Sequence, residues 1–116
     1  MTSLASSLIE RVKKQRDLMQ AMTEETNSIS ARVTSKDRAV SAAVDGHGSL
    51  TGLWLGPPAT RMEADALAKL IVETAQEAAR VAAERYAFVV KEFTTRMDEL
   101  QQTPLTRWDG SVIQPE

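Results

Sequence analysis

The chain has 116 residues, enough for one domain, and its 42% hydrophobic and 26% charged residues are the proportions of a globular protein. Fourteen Lys and Arg against sixteen Asp and Glu leave a net charge of -2, which argues against a uniformly basic, phosphate-binding surface but leaves room for a local patch. The lack of cysteine excludes disulfides, thiolate zinc sites and cysteine nucleophiles and fits a reducing cytoplasm, the first residues lack a signal-peptide pattern, and no run is apolar and long enough to span a membrane.

Aromatics make up only 4% of the residues, and much of the apolar content is Ala. Each buried methylene is worth about 0.8 kcal/mol, so a core of Ala and Val gains little per residue. A short chain with such a core is expected to complete it with a partner.

Thr2 or Ser3 is positioned to cap a first helix. Leu4, Leu8, Val12, Gln15, Met19 and Met22 then recur at spacings of three and four, one stripe of a helix that fades over Thr23–Asn27. From Ser28 the period becomes two. Ile29, Ala31 and Val33 predict a first strand, and Val40, Ala42 and Val44 a second across the polar turn Ser35-Lys36-Asp37-Arg38. Asp45-Gly46 opens a second turn, and Leu50–Leu55 is a third strand whose leucines break strict alternation, so Gly52 is expected to mark a bulge.

Gly56-Pro57-Pro58 stops the sheet, and Thr60 with Glu63 has the spacing of a capping box. No Gly or Pro follows until Pro104. Leu67, Leu70, Ile71, Thr74, Ala78, Val81, Ala82, Tyr86, Val89, Val90, Phe93, Met97 and Leu100 trace one stripe along that span. Roughly 40 residues at about 1.5 Å each predict a helix on the order of 60 Å, longer than the domain is wide, so its stripe calls for a second copy. The fold class is therefore α+β: a helix, a three-stranded antiparallel meander and a long C-terminal helix, with a dimer sharing its sheet through open strand edges. Residues 1–103 are expected to form one domain. Residues 104–116 are a tail, either disordered or docking through Trp108 and Val112-Ile113 on the body or a partner.

Several segments together carry a resemblance. They are Leu18-Met19-Gln20-Ala21-Met22, the strand Val40–Val44, the turn Asp45-Gly46-His47-Gly48, the strand Leu50-Thr51-Gly52-Leu53-Trp54-Leu55, and the helix with Leu67, Leu70-Ile71 and the Ala-rich stretch 75–83. In this order they resemble the YbaB/EbfC family of bacterial nucleoid-associated proteins over about residues 8–86. The resemblance implies a cytoplasmic, nucleoid-associated homodimer with a shared sheet, helices projecting as tweezer arms, and double-stranded DNA as partner. Diverged actinobacterial relatives include EspL-like proteins associated with type VII secretion, and the Ala-, Val- and Arg-rich style of the chain suits such a source.

Arg11, Lys13, Lys14 and Arg16 form the densest basic cluster, on a helix whose first 23 residues carry about two net positive charges by residue count. This is a candidate DNA-binding patch on one reading and a solvated helix face on the other. Leu53, Leu55, Val89, Phe93 and Met97 are the candidate dimer and packing residues. Asp45 and His47 share a turn, which suggests a base or metal ligand, but neither a nucleophile nor further ligands stand at the needed spacing, so a polar turn is the simpler reading. No catalytic residue, metal site or cofactor is expected. The leading expectation is a non-catalytic DNA-binding homodimer with weak, largely sequence-independent affinity. The alternative is a protein-binding scaffold or chaperone-like adaptor acting through the long helix or the Trp108 tail, without DNA.

Overall fold

The computed structural model describes residues 3–102 and two short strands at 105–106 and 112–113. Its elements are α1 (Leu4–Asn27), β1 (Ser30–Thr34), β2 (Val40–Asp45), β3 (Leu50–Leu55), a 3-10 turn (Pro57–Arg61), α2 (Ala64–Gln102), β4 (Leu105–Thr106) and β5 (Val112–Ile113). β1, β2 and β3 form an antiparallel meander with β2 in the centre, and β4 pairs with β5. The molecule is thus α+β in the expected order. Trp108 lies outside the described residues.

Two compact units are distinguished, Glu25–Phe88 and a helical unit built from Met1–Glu24 and Val89–Glu116. In the first, β2 is buried from Val40 to Val44. Residues opposite one another in an antiparallel pair share a face. Ala31 opposes Val44 and Val33 opposes Ala42, while Val40, Ala42 and Val44 oppose Leu55, Leu53 and Leu50. All of these side chains therefore lie on one face. α2 packs on it at Val40, where Leu67, Leu70 and Ile71 join Met62 on a core of Ala39, Val40 and Ala59. Thr74, Ala78 and Ala82 continue that stripe at four-residue spacing and are buried. Thr74 donates its hydroxyl to the Leu70 carbonyl at 2.7 Å, so its burial leaves no polar group unmet.

The register of β2 and β3 shifts between Ala43 and Val44, where Gly52 and Leu50 are the successive partners and Thr51 is the extra residue. That irregularity is what puts Leu50, Leu53 and Leu55 on one face despite their uneven spacing. Gly46 is fixed by close approach, because a Cβ there would stand 2.5 Å from the Thr26 carbonyl oxygen at the end of α1. Gly48 closes the same turn at φ +85°, a conformation that glycine adopts without steric cost.

Two local expectations are corrected. The Thr60–Glu63 capping box does not form: the two prolines start a 3-10 turn, the Thr60 hydroxyl closes on the Pro57 carbonyl at 2.8 Å, and α2 begins only at Ala64. Along the exposed side of α2, Arg80 bonds both Glu77 and Glu84, and Lys69 lies 3.9 Å from Glu73. In the helical unit, the half-buried stripe of α1 runs through Leu4, Ser7, Arg11, Gln15, Leu18 and Met22, leaving Leu8, Val12 and Met19 exposed. Both stripes have helical spacing, and the helix is rotated by about one residue from the more apolar of the two. At its start the cap is Ser3, whose Oγ accepts the Ser6 N–H at 3.1 Å.

Candidate nucleic-acid interface

In the helical unit, the cluster predicted on α1 resolves into residues of different standing. Lys13 and Lys14 are exposed, and neither meets a carboxylate among the described residues. Arg16 bonds its neighbour Asp17, with Nη2 at 3.1 Å and Nε at 3.4 Å from Oδ1. Both side chains are exposed, so this pair holds Arg16 weakly. Arg11 is half-buried and already engaged within the fold.

Lys14 borders an open groove of about 400 Å³, together with Asp17 and Leu18 of α1 and Arg96, Glu99 and Leu100 of α2. Its lining combines the apolar Leu18 and Leu100 with two cations, Lys14 and Arg96, and two carboxylates, Asp17 and Glu99. Arg96 is exposed and has no carboxylate partner among the described residues. Sequence spacing did not single it out, because its neighbourhood with Lys14 depends on how the two helices pair.

The residues chosen for packing and dimerisation separate in the same way. Val89 is buried, and Phe93 and Met97 are half-buried on the α2 stripe. On β3, Leu50, Leu53 and Leu55 are 52%, 42% and 55% exposed, although they share the apolar face of the sheet.

The turn after β2 has no catalytic geometry. The Asp45 carboxylate accepts the backbone N–H groups of His47 and Ser49, each at 2.9 Å. The Ser49 bond, with help from His47, holds that carboxyl below its ordinary 3.8. The His47 ring meets Asn27 Oδ1 at 3.2 Å. Among the described residues no three His, Asp or Glu side chains gather as metal ligands, and no helix is long and apolar enough to cross a membrane.

The outer face of the sheet carries a feature that sequence reading missed. Arg32 on β1 lies over the Trp54 ring on β3, 4.0 Å from its centroid. The ring in turn sits on Gly52, where any Cβ would collide with it. Arg32, Ala43 and Gly52 are successive partners across the sheet, so only the strand register brings the pair together.

Comparison with curated proteins and with solved structures found no match. The model of the YbaB/EbfC DNA-binding family matches residues 2–97, from the start of α1 through the meander and most of α2, and the chain belongs to that family.

Proposed function

We propose that the protein is a non-catalytic, homodimeric, nucleoid-associated protein of the cytoplasm that holds duplex DNA weakly and with little sequence preference. Residues 1–103 act as its DNA-associating domain and residues 104–116 as a tail. The observation that carries this reading is the pair of exposed cations Lys13 and Lys14, which meet no carboxylate among the described residues, with Arg96 on the same groove as Lys14. Phosphates are held by such charges, whereas sequence is read by side chains fitted to base edges. Dimerisation is supported by the exposed Leu50-Leu53-Leu55 row at a free strand edge.

A gel shift or anisotropy titration with mixed-sequence duplex tests the reading. Affinity should fall steeply with salt, as counterion release requires. Changing Lys13, Lys14 and Arg16 together to Glu should abolish binding while leaving secondary structure and oligomeric mass intact. No binding by the wild type at low salt would overturn the DNA reading.

A second reading, a protein-binding scaffold, draws on the exposed Leu8, Ile9, Val12 and Met19 of α1, an apolar surface that a phosphate backbone does not need. It predicts that Val12→Glu disrupts function while DNA affinity is unaffected.

A further inference from the structure

We propose that Arg32, laid flat on the Trp54 ring, is a second phosphate-contacting residue that meets the backbone of duplex DNA from the outer face of the sheet. The proposal rests on the DNA-binding reading above but not on the α1 cluster.

Arg32 is built into position from below. Gly52 leaves the space in which the Trp54 ring lies against the sheet, and the guanidinium lies over that ring at 4.0 Å. Stacking of this kind uses the face of the guanidinium and leaves its in-plane N–H groups available, the edge that matches two oxygens of a phosphate. Holding the long side chain on a ring also removes rotamer freedom before any ligand arrives, so less is lost on binding.

Electrostatics points to an anion. Arg32 is exposed and has no carboxylate partner among the described residues. On that face of the three strands its companions are Ser30, Thr34, Ser41, Ala43, Gly52 and Trp54, all neutral. The one acidic residue there, Asp45, is committed to the backbone N–H groups of His47 and Ser49. Thr34 and Ser41 satisfy each other at 2.7 Å. An uncompensated, pre-positioned guanidinium on a chain of a DNA-binding family is matched in charge and geometry by the phosphate backbone.

The test compares wild type, Arg32→Gln and Arg32→Lys in anisotropy titrations with mixed-sequence duplex, between about 50 and 200 mM salt. Arg32→Gln should weaken binding about three- to tenfold and lower the slope of log affinity against log salt by about one for each Arg32 engaged. Arg32→Lys should keep the slope, because the charge stays, and lose part of the affinity, because the stack goes. In a Trp108→Phe background Trp54 is the single indole, and its emission should change on adding duplex but not on adding inorganic phosphate or a poly-Glu peptide. Unchanged affinity and slope in Arg32→Gln, with only a lower melting temperature, would make the stack a structural lid and overturn the proposal while the α1 reading stood. A Trp54 response to the acidic peptide and not to duplex would overturn it in favour of a protein ligand. Wild type that binds no duplex at low salt would remove both proposals together.

Discussion

Asp45 shows how one side chain can be chosen for a turn rather than for chemistry. A carboxylate two residues from a histidine has the look of an acid–base pair, yet both of its backbone bonds serve the hairpin. The pH dependence follows from that assignment. Its folded carboxyl titrates below the ordinary 3.8, so its contribution is present above that value and is lost as pH falls through the folded one. Asp45→Asn keeps an acceptor but loses the charge. The gap in melting temperature between wild type and Asp45→Asn should therefore be open at pH 6 and narrow toward pH 3. A gap that stays constant would show that the charge is immaterial to the turn. This turn was readable in the sequence because Asp45-Gly46 acts through its own neighbours. The Arg32–Trp54 stack was not, because those residues meet only once the register of three strands is set.

Among the elements, α2 was legible nearly throughout, since one stripe of regular spacing leaves one way to turn a helix toward its sheet. Its middle is built from small residues, and Ala78 and Ala82 are almost fully buried there, where small side chains permit close packing. Enlarging such a position forces the helix outward. Ala78→Leu should cost about 1–3 kcal/mol in chemical denaturation, and an unchanged midpoint would mean that the helix does not lie close there. Further along, Phe93→Asp places a charge on the half-buried stripe and should cost at least about 2 kcal/mol, whereas Glu92→Ala removes a side chain that has no ion-pair partner among the described residues and should change little. Equal melting temperatures for those two variants would refute the stripe. α1 was less legible. Its apolar residues spread over two adjacent stripes, and hydrophobic period alone does not say which of two such stripes its own chain covers.

At the scale of the whole molecule, the composition and the sheet edge make the same demand. The core is largely Ala and Val, and its largest fully buried side chain is Val40. Meanwhile three leucines at the β3 edge stay about half exposed on the face that the sheet otherwise buries. Among the described residues β3 is also an edge strand, paired on one side by β2 and on the other by nothing. Proteins that remain monomeric protect such an edge with charges, prolines or bulges. β3 has no charged residue, no proline, and its one irregularity lies at the Leu50 end, leaving Leu53-Trp54-Leu55 regular. A second copy paired edge to edge would meet both needs at once, giving hydrogen bonds to the free backbone and cover to the leucines. Sedimentation of the wild type at micromolar concentration should therefore give twice the 12.7 kDa chain mass. Leu53→Lys with Leu55→Lys should yield monomer that keeps its helical circular dichroism, because α1 and α2 do not depend on those side chains for their own backbone bonds. A folded monomer for the wild type would sink the shared-sheet dimer. A dimer that survives both lysines would place the interface elsewhere, and the exposed Leu8, Val12 and Met19 of α1 would then be the next surface to change.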